Sequence, residues 1–238
     1  MARDFGPPEM MAIALARLLY PFETVFHGVA SPLPAVAVRL ARELNPPGPV
    51  YLSLAGGVDA RPSGRGGSTC SADYLDGSVS RFGLAEIFDL AARGGLDLAF
   101  LSGVQIDASG RLNSSVIGDF AAPKVRFPGG AGGAVLLPNA GRTLVWRAKH
   151  DTRVFVEACD FATSAGRLDR VVTPLAVFRF IGGRLVLESV HPYSSVEEVR
   201  RNTGFPVSDA PSTPAPSARE LDALERVDAA LQRRAEFE

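Results

Sequence analysis

The sequence predicts an α/β architecture, an open mixed β-sheet flanked by helices, and three observations carry that expectation. Helical stripes and short extended runs interleave through the first hundred residues, hairpin-type runs dominate afterwards, and 46% of the 238 residues are hydrophobic, enough for a sizeable core. Interleaving favours parallel strands, whereas tight hairpins add antiparallel ones, so the sheet order is expected to be mixed. The chain carries 25 basic and 26 acidic side chains, a net charge of −1, which gives no electrostatic reason to expect nucleic acid or a membrane surface as partner. Cys70 and Cys159 lie far apart in unlike contexts, which supplies neither a disulfide framework nor metal-ligand spacing, so a reducing cytoplasm is the expected compartment. The start, Met1-Ala-Arg-Asp-Phe-Gly-Pro-Pro, has no signal-peptide layout, and the apolar stretch 10–20 is broken by Arg17 and too short to cross a bilayer.

Taken in order, residues 9–19 read as a first helix. Residues 33–44 make a better one, with Leu33, Val36, Ala37, Leu40, Ala41 and Leu44 at helical spacing and Arg39, Arg42 and Glu43 on the other face. Asn45-Pro-Pro-Gly-Pro ends it, because proline has no backbone donor, and Val50-Tyr-Leu-Ser-Leu follows as a strand that runs into Ala55-Gly56-Gly57. Residues 59–80 are polar, glycine-rich and unpatterned, either an exposed excursion or a loop that folds against a ligand or partner. Leu84, Ile87, Phe88 and Ala91 form a helical stripe that Gly94-Gly95 closes. An extended run over 96–106, a turn at Asp107-Ala-Ser-Gly110 and a second run over 112–117 predict a hairpin. Further strands are expected at 143–149 and 153–157, and runs 177–181 and 184–188 pair across Gly182-Gly183. Ser195 with Glu198 and Ser217 with Glu220 have capping-box spacing, the first before a short helix closed by Gly204 and the second opening a helix through Leu231. The expected organisation is one domain over 1–208, a proline-stiffened linker over 209–216 and a helix in 217–238 packed on the same domain.

Glycine is the compositional oddity, 24 residues in 238. The densest cluster is Pro128-Gly-Gly-Ala-Gly-Gly133, between two extended segments. Such a loop lets backbone amides approach a ligand and form a concave site for a phosphate or an oxyanion, and it can equally be a tight turn. It lacks the lysine of a phosphate-binding P-loop and the spacing of a dinucleotide fingerprint. No His–carboxylate–nucleophile triad is legible. His150 with Lys149 reads as a solvated strand end that also suits a phosphate, His191 as structural, His27 as packing beside Phe26 or lining a subunit site, and Cys159 as a small core residue within a strand. Gln105 and Asn113 flank the hairpin turn, where amides either fix a ligand or stabilise the turn.

The ordered set Gly94-Gly-Leu-Asp-Leu-Ala-Phe-Leu-Ser-Gly-Val-Gln-Ile-Asp-Ala-Ser-Gly-Arg-Leu-Asn-Ser-Ser-Val-Ile-Gly118, then Pro123-Lys-Val-Arg, then the glycine loop, resembles the beta subunit of class I CoA-transferases, the glutaconate-type branch most of all. Arg153-Val-Phe-Val-Glu-Ala-Cys-Asp-Phe, His191-Pro, Ser195-Val-Glu-Glu-Val-Arg, Thr203-Gly-Phe and Thr213-Pro-Ala-Pro-Ser-Ala-Arg-Glu-Leu continue the order, so the resemblance covers roughly residues 10–235. It implies the family's open NagB/RpiA-like fold, an alpha-subunit partner in an α2β2 assembly, no permanently bound cofactor, no metal, and an acyl-CoA thioester as substrate. In that family a beta-subunit glutamate before Ala-Gly-Gly attacks the thioester; here Leu54 stands at that position, and leucine has no such chemistry. Asp59 lies beyond the glycine pair and Glu43 lies in a helix, so a shifted register does not restore the motif. The resemblance therefore implies CoA transfer between carboxylic acids first. A related branch resembling steroid ring-opening CoA-thioester hydrolases, with the carboxylate on the alpha subunit, comes second, and a non-catalytic CoA-binding or scaffold subunit third. It assigns Gly129, Gly130, Ala131, Gly132 and Gly133, with Gly56 and Gly57 of the nucleophile strand and the amides of Gln105 and Asn113, to CoA, acyl or oxyanion contacts, and Leu54 to the acyl pocket wall.

Overall fold

The computed structural model describes residues 4–63 and 67–237, so part of the segment 59–80, residues 64–66, lies outside the described residues. The chain forms two compact units, Met1–Phe100 with Ala215–Glu238, and Leu101–Pro214.

In the first unit, α1 (Pro7–Arg17) begins on two prolines, whose missing N–H groups fall where a helix has no use for them, and Glu9 turns back to accept from the Gly6 amide at 3.0 Å. Met10, Met11, Ala12, Ile13 and Leu15 are fully buried, so α1 is an interior helix rather than a surface one. The chain then enters β1 (Thr24–His27), α2 (Pro32–Leu44) and β2 (Val50–Leu52), with the expected proline stop after α2. β2 turns at Ser53 and comes back as β3 (Gly57–Val58), which pairs antiparallel with β2 and with β4 (Ser80–Arg81). After α3 (Leu84–Ala92), β5 (Leu98–Leu101) runs parallel to β1 on the side opposite β2. The sheet of this unit thus reads β4-β3-β2-β1-β5, parallel in the middle and antiparallel at one edge.

Two expectations change here. The 59–80 segment is not unpatterned: a short 3₁₀ turn, Ala72–Leu75, buries Tyr74 completely. Leu84 does not join the apolar stripe of α3, being 58% exposed, while Ile87 and Ala91 are buried.

In the second unit, the run expected over 96–106 is broken at Ser102-Gly103-Val104, leaving β5 and β6 (Gln105–Asp107) as separate strands. The predicted hairpin forms between β6 and β7 (Leu112–Asn113), with Gln105 opposite Asn113. The run over 112–117 also divides, its second half becoming β8 (Val116–Ile117), which pairs with β9 (Val125–Arg126). After α4 (Gly133–Asn139), β10 (Arg142–Trp146) lies parallel to β12 (Leu168–Val172), and β11 (Phe155–Val156) parallel to β6. β13 (Ala176–Ile181) and β14 (Arg184–Val190) form the hairpin read from the sequence, with Gly182 and Gly183 at φ +60° and +82°, and the main sheet of this unit reads β10-β12-β13-β14. Ser195 caps α5 (Val196–Arg201), but the helix closes on Asn202 rather than Gly204. Gly204 instead presses on β11: a Cβ there would lie 2.6 Å from the Phe155 carbonyl oxygen.

The C-terminal segment returns to the first unit. α6 (Ala218–Val227) starts with the Ser217–Glu220 capping box and packs on α1 and α2, held by Arg17 to Glu220 at 2.7 Å. It ends at Val227, four residues short of the expected Leu231, which adopts φ +55°. Asp228 and Glu9 draw the fully buried Arg233 inward instead, at 3.0 and 2.9 Å.

Candidate functional site

Ligands of open α/β sheets bind beyond the carboxyl ends of the parallel strands. Each unit has such an edge.

In the first unit that edge is formed by the ends of β1 and β2. Ser53 is buried, its Oγ donating to the Tyr74 carbonyl at 2.9 Å and accepting from the Gly57 amide at 3.0 Å. Gly56 sits at φ +96°, and a Cβ on it would lie 2.4 Å from the Phe82 carbonyl oxygen. A Cβ on Gly57 would meet Ser78 Oγ at 2.4 Å and the Tyr74 carbonyl oxygen at 2.7 Å. Both glycines are therefore demanded by close packing. Leu54 occupies the turn between β2 and β3, half-buried. The nearest carboxylate downstream, Asp59, is committed elsewhere: its Oδ1 accepts from the Tyr51 amide at 2.9 Å and pairs with Arg42 at 3.0 Å.

Beneath this turn His27 and Tyr51 form a buried pair, Nε2 to phenol at 2.6 Å, while Nδ1 meets the Gly28 carbonyl at 3.2 Å. The carbonyl requires the proton on Nδ1, so Nε2 accepts from Tyr51. Burial holds the ring down to about 4, helped by the Arg39 charge and opposed by the Gly28 carbonyl, and burial pushes the Tyr51 phenol well above its ordinary value. With its lone pair occupied, this histidine is a core member and not a base, in line with the packing role expected for it.

In the second unit the glycine loop leads into α4. Its entry is fixed by Gly129, whose amide donates to the Ser114 carbonyl at 3.0 Å, and by Thr163, whose Oγ1 accepts from the Ser114 amide at 2.9 Å and bonds Ser115 Oγ at 2.7 Å. Its exit is fixed by the Gly133 amide donating to the Gly130 carbonyl at 2.7 Å. Between these anchors, the amides of Gly130, Ala131 and Gly132 have no hydrogen-bond partner among the described residues. Ala131 is held at φ +42°, an uncommon conformation for a residue with a Cβ. Three successive uncommitted amides on an anchored loop are what an anionic oxygen requires.

The hairpin amides are arranged differently from one another. Asn113 is used up by the fold, donating to Gln105 Oε1 at 2.7 Å and to the Val116 carbonyl at 2.6 Å while accepting from the Ser115 amide. Gln105 accepts from Asn113 and from the Asp160 amide at 3.0 Å, leaving its own Nε2 uncommitted among the described residues. Arg147, directly after β10, has a buried Nε without a partner.

His150 is not a solvated strand end. It is buried between Thr173 and Thr203, at 2.9 and 3.1 Å, and burial brings its ring down to about 3, so Lys149 alone remains outside, facing Asp151 at 3.5 Å. His191 is structural as expected, bonded to Thr213 and to the Thr173 carbonyl. Cys159 lies after β11 rather than within a strand, and burial together with Asp107 pushes its thiol up to about 12, which excludes a thiolate nucleophile. Cys70 is exposed. Tyr51, Ser53, Tyr74 and Thr163 carry no signal in the sequence, because nothing in their local spacing distinguishes them from ordinary strand and loop residues. Among the described residues no His, Cys, Asp and Glu side chains gather into a metal-binding group, and no helix is long and apolar enough to cross a membrane.

The family model described as Coenzyme A transferase matches residues 8–202. The chain is 31% identical to the beta-type subunit of the 3-oxoadipate CoA-transferase of Pseudomonas knackmussii, over 94% of both chains. It is 30% identical to the cholesterol ring-cleaving hydrolase IpdB subunit of Rhodococcus jostii, over 60% of this chain and 63% of that one. Among solved structures it superposes on the decarboxylase AibA/AibB with a TM-score of 0.90 at 31% identity, over 98% of both chains. The extent of these matches, together with the mixed open sheet, makes this chain a member of the Coenzyme A transferase family, as its beta-type subunit.

Proposed function

We propose that this chain is the beta half of a two-subunit cytoplasmic enzyme, assembled as α2β2, that acts on acyl-CoA thioesters without a nucleophilic carboxylate of its own. The observation that carries the reading is the turn after β2: Leu54 stands in it, and Asp59, the nearest acid downstream, is tied to Arg42 and the Tyr51 amide. A carboxylate nucleophile would divide the exchange into anhydride and enzyme-thioester steps; a leucine side chain supplies only an apolar wall for the acyl group. What this chain contributes is charge stabilisation, from the Gly130, Ala131 and Gly132 amides toward the thioester oxyanion, with Gly129 and Gly133 fixing the loop and the free Gln105 amide within the same unit. Arg147 offers a guanidinium to a substrate carboxylate.

Transfer of CoA between carboxylic acids is the first reading, supported by the 31% identity to a 3-oxoadipate CoA-transferase subunit over 94% of both chains. Hydrolysis, with the essential carboxylate on the alpha subunit, is the second, favoured specifically by Leu54 and by the likeness to the IpdB subunit.

The test uses the co-expressed pair. After exposure to acyl-CoA and borohydride trapping, mass spectrometry is expected to show no modified carboxylate on this chain, whereas Leu54→Glu creates the conditions for one at position 54. A trapped adduct on a wild-type beta carboxylate overturns the reading. Product analysis with and without an added acid acceptor separates transfer from hydrolysis, and carbon dioxide release would identify the decarboxylase branch instead.

A further inference from the structure

On the first unit, beside α2, a cavity of about 530 Å3 is walled by Arg39, Arg42, Arg61 and Arg226 together with Glu43, over an apolar floor that includes Pro62. Its volume falls within the range of small-molecule sites. The four guanidiniums are not equivalent. Arg42 is paired with Asp59 and Arg226 with Glu43, each at 3.0 Å. Arg39 is held by neutral acceptors alone: Nε donates to the Ala35 carbonyl at 3.3 Å, Nη1 to the Pro62 carbonyl at 3.2 Å and Nη2 to Gln232 Oε1 at 2.7 Å. Arg61 is exposed, and its side chain has no hydrogen-bond or ion-pair partner among the described residues.

Four cations therefore face two carboxylates, and the surplus charge resides on one pinned arginine and one free one. Pinning matters because a guanidinium fixed at three nitrogens loses little further freedom on binding, and it keeps hydrogens to spare. The planar fork of arginine matches the oxygens of a phosphate, and the exposed Pro47 with the half-buried Val227 offers an apolar surface against which a flat heterocycle can lie.

We propose that this cavity is a nucleotide site: Arg39 and Arg61 take the phosphate groups, and the apolar floor takes the base. The same chemistry comes from two sources, a free nucleotide or the nucleotide end of coenzyme A, and only the second rests on the acyl-CoA reading above.

The experiment is a calorimetric titration of the full chain, paired with its alpha subunit, with ADP, CoA and inorganic phosphate, on wild type, Arg61→Glu and Arg39→Gln. Wild type binds ADP with an affinity that falls as salt rises, and Arg61→Glu weakens it at least about tenfold. Arg61 is exposed and unpartnered, so its variant folds; the melting temperature of Arg39→Gln shows whether that variant does. If KM for acyl-CoA rises in parallel with the ADP dissociation constant, the cavity takes the substrate's nucleotide end; if turnover is untouched while ADP affinity falls, a free nucleotide is the ligand. Equal binding of ADP by wild type and Arg61→Glu overturns the proposal, as does failure of ADP, CoA and phosphate alike to bind wild type at millimolar concentration. A pair inactive on every acyl-CoA would defeat the functional reading and leave the ADP titration to decide this one.

Discussion

The turn after β2 and the loop before α4 are built from the same residue and do opposite things with it. In the first, Gly56 and Gly57 let Phe82, Ser78 and Tyr74 close in until no Cβ fits, and the backbone groups of Ser53, Gly56 and Gly57 are hydrogen-bonded to one another, to the Ser53 hydroxyl or to the Phe82 amide. In the second, Gly129 has no atom within 4 Å of where its Cβ would be, and the three following amides are left unbonded. Glycine in the first place is a packing requirement at both positions; in the second Gly130 is squeezed, against Thr163 and Ala134, and the loop keeps its donors accessible. The difference teaches that a glycine-rich turn is assigned by what surrounds it, since its own composition is silent.

The largest effect expected from breaking this contrast is acid destabilisation, which reaches both units. His27 and His150 titrate at about 4 and about 3 in the fold against an ordinary 6.5, so the unfolded chain takes up protons first as pH falls. Stability is complete above about 6.5 and declines toward 4 and 3, amounting to about 2 kcal/mol per ring between pH 7 and 5. Urea unfolding across that range checks it; a flat profile would mean the rings are hydrated. Gly57→Ala comes next, expected to cost about 3 kcal/mol because the new methyl meets a backbone carbonyl at 2.7 Å. Unchanged denaturation midpoints would show that the turn has room after all.

Gly132→Pro probes the open loop. Gly132 already has φ −68°, which suits proline, so the substitution removes one uncommitted donor. In the reconstituted pair kcat should fall about a hundredfold with KM little changed, whereas a loop that is merely a turn would leave kcat intact. The melting temperature separates donor loss from misfolding. Smallest is Thr163→Val, which deletes the hydroxyl that accepts from the Ser114 amide and should cost about 1 kcal/mol in denaturant unfolding. No loss would place the anchor of the loop elsewhere.

The strongly patterned parts of the fold were legible in advance. α2, the β13–β14 hairpin and the Ser195 and Ser217 caps form where spacing and turn chemistry place them. The failures share a cause. The run over 96–106 looks like one strand because its apolar residues continue through Ser102-Gly103-Val104, yet a Cβ on Gly103 would lie 3.3 Å from the Asn113 carbonyl oxygen of the partner strand, a close approach that only the completed hairpin creates. α6 stops at Val227 because Asp228 is fully buried against Arg233, an ion pair made across the helix end that no helical stripe reveals. His150 reads as exposed from its charged neighbours, but Thr203 and Thr173, distant in sequence, enclose it.

By itself the sequence determined the α/β class, the order of most elements and the place of both glycine turns. These follow from local periodicity, turn chemistry and side-chain identity, which need no distant partner. Only the tertiary structure decided which glycines are squeezed and which leave their amides open, that His27 and His150 are neutral core members, and that Asp59 is spent on Arg42. Each of those properties is set by atoms brought together from remote segments, and burial, charge pairing and free hydrogen-bond donors exist only once that assembly has formed.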